Sequence, residues 1–115
     1  MGEEKRRFIR WTKKVRVVCS FREDEEAFEE VFAENISETG LQLVLTQPLK
    51  QNQYLKLRLE FIYDSVPIVV TGRVVHMSPE EKQYRIGLEF VDVDDFQRRR
   101  LRLCLEKFSQ NPEGR

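Results

Sequence analysis

Groups that usually carry enzymatic chemistry are few in this sequence. It has one histidine, His76, two distant cysteines, Cys19 and Cys104, and no loop of the GxxxxGK[ST] or GxGxxG kind. A Ser-His-Asp triad, a histidine-rich metal site and a phosphate-binding glycine loop are therefore not predicted. The cysteines lie in apolar surroundings without CxxC spacing, which predicts reduced core residues. We expect a protein that is not an enzyme and needs no metal or cofactor.

Long apolar runs and a net charge are also missing. No stretch approaches the roughly 20 apolar residues of a membrane-spanning helix, and the charged start MGEEKRR does not resemble a signal peptide. Twenty basic and twenty acidic residues cancel, which argues against a protein that coats long nucleic acids or membranes. We expect a cytoplasmic protein without membrane insertion. Its 115 residues are the size of one domain.

The charges are nevertheless segregated along the chain. A basic arm precedes the first predicted strand, and an acidic run from Glu23 to Glu30 follows that strand. The acidic run lacks an Asp-x-Asp-x-Asp-Gly framework, so we expect a solvated hairpin loop rather than a calcium site. A basic arm on a neutral domain favours a small anionic ligand.

Alternation of apolar and polar residues predicts β-strands between residues 12 and 90. The clearest segment is YLKLRLEF, in which Leu55, Leu57, Leu59 and Phe61 share one face and charged residues the other. The six segments of this kind are VRVVCSF, VFAENIS, LQLVL, YLKLRLEF, VPIVVTGRVVHM and YRIGLEF. Short strands with close connections predict an antiparallel barrel, because closure removes exposed sheet edges.

A helical pattern follows the last strand and begins at Asp94, the expected N-cap. One face of this helix is expected to carry Phe96, Leu101, Cys104, Leu105 and Phe108. The predicted organisation is a flexible basic arm at residues 1–11, a mainly β, six-stranded antiparallel β-barrel with a C-terminal α-helix at residues 12–108, and a frayed tail at residues 109–115.

Several conspicuous residues have a structural interpretation. Gly72 and Gly87 fall inside predicted strands, where a glycine usually marks a bulge or a sharp bend. His76 is interpreted as a strand residue with a hydrogen-bonded ring. The run RRRLR is interpreted as the solvated face of the helix, although it could extend a basic surface or bind a partner.

The arm contains an Arg-x-x-x-Arg pair, formed by Arg6 and Arg10, with Arg7 between them. Such a pair also arises by chance, and RRRLR contains a second one, Arg98 and Arg102. The first pair stands just before the first predicted strand.

A second polar motif is NISETG, which has the pattern Asn-x-Ser-x-x-Gly at Asn35, Ser37 and Gly40. This pattern is rarer by chance than the arginine pair. Asn35 and Ser37 either bond their own backbone in an ordinary Asx or ST turn or offer hydrogen bonds to a ligand. Gly40 permits a positive φ or a close backbone approach.

Together, in this order and around a predicted barrel, the motifs resemble those of the PilZ domain family, whose members bind the bacterial second messenger cyclic di-GMP. EKRRFIRW resembles the family's RxxxR arm, ENISETGLQL its [DN]xSxxG turn, and GRVVHM with YRIGLEF its later strands. The resemblance implies a six-stranded PilZ-type barrel that senses the nucleotide and changes shape. The implied ligand-binding residues are Arg6, Arg10, Asn35, Ser37 and Gly40. Arg7 is either an auxiliary phosphate contact or a solvated side chain.

The chemistry of these residues suits such a ligand. Arginine forms forked contacts with phosphate oxygens and with guanine O6 and N7. In an extended arm Arg6 and Arg10 lie about 13 Å apart and could bracket a dinucleotide, so we expect an arm that becomes ordered around the ligand. Asn35 can accept from guanine N–H groups, though more weakly than an aspartate, and Ser37 offers a hydroxyl. Trp11 either stacks on a guanine or packs against the barrel.

Three functions are considered on this basis. The leading one is a cyclic di-GMP receptor that relays occupancy to an unidentified downstream protein. The second is a PilZ-like protein-interaction adaptor that does not bind nucleotide, against which the intact motifs argue. The third is a small barrel that binds single-stranded nucleic acid, against which the zero net charge argues.

Overall fold

The computed structural model describes residues 15–21, 28–62 and 64–110. These residues form seven strands and one helix. The strands are β1 (Val15–Ser20), β2 (Phe28–Phe32), β3 (Asn35–Ile36), β4 (Gly40–Leu45), β5 (Tyr54–Phe61), β6 (Ile68–Glu80) and β7 (Gln83–Val91), and the helix is α1 (Asp95–Gln110). The predicted mainly β architecture with a C-terminal helix is confirmed.

All strands belong to one antiparallel sheet with the order β2-β1-β5-β6-β7-β4-β3. The two ends of this order, β2 and β3, follow each other in the chain, so the sheet curls to bring them together. Glu29, predicted to lie in the acidic loop, is instead part of β2. Its carboxylate accepts hydrogen bonds from the Thr46 N–H at 3.0 Å and the Thr46 hydroxyl at 3.1 Å. These bonds join β2 to the end of β4 across the curl.

The sequence predicted six strands, and the structure has seven because the segment VFAENIS changes its pairing partner. The Ala33 N–H still donates to the Val15 carbonyl of β1 at 2.9 Å, whereas the Glu34 N–H donates to the Gln42 carbonyl of β4 at 2.8 Å. The strand therefore passes from one end of the sheet to the other between these two residues. This crossing places Asn35, the first residue of the polar motif, beside β4.

The core lies on the concave side of the sheet. In β5 the alternation holds as predicted, with Leu55, Leu57, Leu59 and Phe61 buried. Cys19 is also buried, and its burial raises the pKa of the thiol to about 12. At full burial each of the leucines contributes on the order of 1.5–3 kcal/mol of transfer free energy. Both cysteines are free and buried, as expected of core residues.

A β-bulge interrupts the pairing of β6 with β7. Val74 pairs with Leu88 and His76 with Gly87, which leaves Val75 as the extra residue of β6. A bulge rotates the residues beyond it, so both Val75 and His76 are exposed. Gly87 thus lies opposite the bulge, one of the two outcomes predicted for it. At Gly72 the register is regular.

The helix begins as the sequence predicted. The Asp94 carboxylate accepts the Gln97 N–H at 2.8 Å, which is N-cap geometry. Leu101 and Cys104 are buried against the sheet, but Phe96 is 68% exposed, so its predicted place on the buried face is wrong. Phe96 precedes Leu101 by five residues, which is about 140° around a helix. Within the described residues, no helix combines the length and the apolar composition needed to cross a membrane.

One arginine of the RRRLR run is structural rather than solvated. Arg100 donates to the backbone carbonyls of Val66 and Pro67 and to the Asp64 carboxylate, the last at 3.3 Å. Its side chain is 15% exposed. The Val66 N–H, with help from Arg100, lowers the pKa of Asp64. Arg100 therefore fastens α1 to the connection between β5 and β6.

Candidate ligand-binding site

The motif NISETG forms the tight connection between β3 and β4. The Ser37 N–H donates to the Gly40 carbonyl at 2.8 Å, and the Ser37 hydroxyl accepts the Thr39 N–H at 3.2 Å. The Phe90 N–H donates to the Thr39 carbonyl at 2.8 Å and anchors the turn to β7. The ordinary ST turn considered from the sequence is therefore formed, with the Ser37 side chain on its exposed side.

Gly40 has a structural reason to be glycine. A Cβ atom at this position would lie 2.2 Å from the Leu88 carbonyl oxygen and 3.1 Å from the Glu89 Cα. The backbones of β4 and β7 thus approach each other too closely for any side chain at Gly40. This is the close approach expected at Gly40, made to a neighbouring strand, and a contact with ligand at this residue stays a prediction.

Strand pairing places four residues in one row across the outer face of the sheet. Asn35 pairs with Gln42, Gln42 with Gly87, and Gly87 with His76. Directly opposed residues are about 4.5–5.5 Å apart, so the row is about 15 Å long. Because Gly87 has no side chain, the row has a gap between Gln42 and His76.

An open cavity of about 440 Å³ lies over this row and the turn. Its volume is within the range of about 300–1,000 Å³ that is usual for small-molecule sites. The lining residues are Asn35, Ile36, Ser37, Thr39, Gly40, Leu41, Gln42, Val75, His76, Gly87, Leu88 and Glu89. The structure therefore brings together the three motif residues predicted at the turn, Asn35, Ser37 and Gly40, in one concave surface.

The electrostatics of the cavity favour an additional source of positive charge. Among the described residues that line it there is no lysine or arginine. Glu89 is paired with Arg73, whose guanidinium also donates to the Asn52 side chain at 2.7 Å. The hydrogen bond to Glu89 raises the pKa of Arg73. A ligand with two phosphates would need cations from elsewhere in the chain.

The predicted arm residues Arg6, Arg7 and Arg10, together with Trp11, lie outside the described residues. Their place relative to the turn stays a prediction. The sequence order puts the arm directly before β1.

Sequence reasoning missed the residues that β6 and β7 contribute. His76 is a strand residue whose Nε2 lies 3.0 Å from the Ser78 hydroxyl, as the structural interpretation predicted. Strict alternation, however, would have placed it inward with Val70 and Val74. One sequence signal could have revealed this position: Gly87 lies inside a predicted strand, where a glycine often marks a bulge. A bulge opposite Gly87 reverses the alternation of β6 and exposes His76 beside the cavity.

The turn also contacts the helix. The Arg102 guanidinium of α1 lies 3.4 Å from the Glu38 carboxylate at the tip of the turn. Both side chains are about half exposed, at 51% and 44%. The contact gives the site a direct link to the C-terminal element.

These features define a small domain with a curled antiparallel sheet, a C-terminal helix and an open cavity beside one turn. The described residues contain no group of three or more histidine, cysteine or acidic side chains that could hold a metal ion. The chain belongs to the PilZ domain family, whose model matches residues 4–107. PilZ domains are generally cyclic di-GMP receptors or adaptors rather than enzymes.

Two solved structures share the fold. The Bacillus subtilis inhibitor of motility, MotI/DgrA, has a TM-score of 0.64 and 17% identity over 86% of this chain and 48% of its own. K. pneumonia MrkH in its apo state has a TM-score of 0.71 and 18% identity over 87% of this chain and 48% of its own. The chain thus spans about half the length of each. Among curated protein sequences, none matches it.

Proposed function

We propose that this PilZ domain is a receptor for cyclic di-GMP that relays occupancy to a downstream protein. The observation that carries the proposal is the cavity at the NISETG turn, where Asn35 and Ser37 line one wall. Membership of a family of cyclic di-GMP receptors supports the choice of ligand.

Because the described residues that line the cavity include no lysine or arginine, a receptor would need cations from the arm. Two phosphates need cations, and Arg6 and Arg10 are the candidates that stand next to β1 in the sequence. Their forked guanidiniums would contact phosphate oxygens and the guanine O6 and N7 atoms. Asn35 would accept from a guanine N–H, and the Ser37 hydroxyl would exchange its bond within the turn for one to the ligand.

The relay would start at the contact between Glu38 and Arg102. An exposed ion pair of this kind contributes at most about 1 kcal/mol, so ligand binding at the turn could readily displace it. Displacement would free α1 from the turn and change the surface offered to a downstream protein. The same contact explains how a change at the turn would reach the C-terminal helix.

An adaptor without nucleotide is the second candidate, and three observations favour it. The Ser37 hydroxyl is already engaged by Thr39, and the described cavity residues supply no cation. Phe96 and Leu103 on α1 are 68% and 53% exposed. They are seven residues apart and lie on one helical face, which suits a protein contact.

Calorimetric titration with cyclic di-GMP distinguishes the two candidates. GTP and a short single-stranded DNA serve as ligand controls, the DNA testing the nucleic-acid function. Arg98→Ala is the matched variant control, because Arg98 belongs to the other Arg-x-x-x-Arg pair and lies on α1. Saturable binding of cyclic di-GMP alone, retained in Arg98→Ala, supports the receptor. Absence of heat at two temperatures would contradict it and favour the adaptor.

A further inference from the structure

We propose that His76 is a further ligand-binding residue of this site and that its protonated form binds cyclic di-GMP more tightly than its neutral form. The inference rests on the proposed receptor function. His76 lines the same cavity as Asn35 and Ser37 but lies outside both sequence motifs.

The fold places His76 at the site through the bulge in β6. The extra residue Val75 turns His76 to the outer face, where it pairs with Gly87 at the end of the row that starts at Asn35. A Cβ at Gly87 would lie 3.6 Å from the His76 Cβ, an ordinary contact distance. The glycine thus leaves room for a ligand group beside the ring.

The hydrogen bonding of the ring makes its protonation matter. Nε2 lies 3.0 Å from the Ser78 hydroxyl, which leaves Nδ1 for a second partner. A neutral imidazole has one N–H and one acceptor nitrogen, so in the tautomer whose Nε2–H donates to Ser78, Nδ1 is an acceptor that repels an anionic oxygen. Protonation makes both nitrogens donors and adds a positive charge. It would add a cation within the cavity, whose described lining residues include no lysine or arginine.

The elements next to the cavity are β6, β7, the turn and α1, and charged side chains on these elements form ion pairs. The pairs are Glu89 with Arg73, Glu38 with Arg102, and Arg85 with both Glu34 and Glu80. Carboxylates and guanidiniums ordinarily titrate outside the range from about pH 6 to about pH 8. Their charge therefore does not account for a change in affinity over that range.

The composition makes the test specific to one side chain. His76 is the single histidine of the chain, and the two cysteines are buried. Burial raises the pKa of the Cys19 thiol to about 12 and also raises the pKa of the Cys104 thiol. An α-amino group also titrates near neutral pH, but variants at His76 retain it and so control for it.

The experiment is calorimetric titration with cyclic di-GMP at about pH 6 and about pH 8, at constant ionic strength. The wild-type protein is expected to bind up to about five-fold more tightly at the lower pH, the upper limit for one exposed ion pair. His76→Gln is expected to bind with the weaker affinity at both pH values, and His76→Lys with the tighter one. Titrations in two buffers of different ionisation enthalpy measure the proton uptake that accompanies binding. This uptake is expected in the wild-type protein and not in the two His76 variants.

The outcomes separate this inference from the receptor function. Binding that is independent of pH in the wild type, or a pH dependence that persists in His76→Gln, would overturn the inference and leave the receptor intact. No binding by any variant at either pH would overturn both. Thermal unfolding of each variant confirms that the exposed substitution leaves the fold unchanged.

Discussion

Two glycines of the site provide a matched test of the geometry, because alanine should be rejected at Gly40 and accepted at Gly87. A Cβ at Gly40 would lie 2.2 Å from the backbone oxygen of Leu88. A Cβ at Gly87 would lie 3.6 Å from the His76 Cβ and 3.8 Å from the Val75 Cγ2. The same substitution is therefore made in neighbouring strands with opposite steric consequences.

The magnitude follows from what must move. Carbon–oxygen contacts between strands are usually about 3.3–3.6 Å, so Gly40→Ala requires β4 and β7 to separate locally by about 1 Å. Neither partner can rotate away, because the clash is with backbone. Overpacking of this kind costs about 1–3 kcal/mol in the free energy of unfolding, which is about 5–15 °C in melting temperature for a small domain. Gly87→Ala should stay within about 0.5 kcal/mol of the wild type or be slightly more stable.

Thermal and urea unfolding followed by circular dichroism measure both variants. Gly40→Ala is expected to be much less stable than the wild type, and Gly87→Ala about as stable as the wild type. Equal melting temperatures for Gly40→Ala and the wild type would refute the close approach of β4 to β7. A large loss in Gly87→Ala would show that the gap beside His76 is filled.

Three further predictions concern the arm, the turn and the helix. Arg6→Ala and Arg10→Ala should greatly weaken cyclic di-GMP binding in calorimetry without changing the melting temperature; undiminished heat in both would remove the arm from the site. Ser37→Ala should weaken binding with a loss of at most about 1 kcal/mol in stability; a large drop in melting temperature with unchanged affinity would make the turn purely structural. Arg100→Met should cost about 1 kcal/mol at neutral pH, since the Val66 and Pro67 carbonyls lose a hydrogen-bond donor. The pKa of Asp64 is lowered in the folded state, so its contribution to stability is present above about pH 4 and is lost as the pH falls through the folded-state pKa. The difference in unfolding free energy between Arg100→Met and the wild type should therefore narrow in urea unfolding at acid pH. A difference that stays constant would show that Asp64 does not contribute to it.

Local patterns in the sequence determined much of the architecture. The alternation of Leu55, Leu57 and Leu59 predicted which face of β5 is buried, because side chains alternate along any strand. Asp94 marked the start of the helix, because an N-cap bonds within its own first turn. The motif from Asn35 to Gly40 predicted a turn for the same local reason.

The arrangement of the strands required the tertiary structure. The crossing between Ala33 and Glu34 depends on hydrogen bonds to β1 and β4, which no local pattern encodes. This change of partner is why seven strands replace the six predicted and why Asn35 lies beside Gln42.

The position of His76 shows the same division. The sequence by itself determined that the chain has a single histidine and that it lies in a strand. Only the pairing of β6 with β7 decided which way it faces, because the bulge at Val75 reverses the alternation beyond it. Alternation alone would have pointed His76 into the barrel, but in the structure it lines the cavity. The reason is that register is set between strands and not within one.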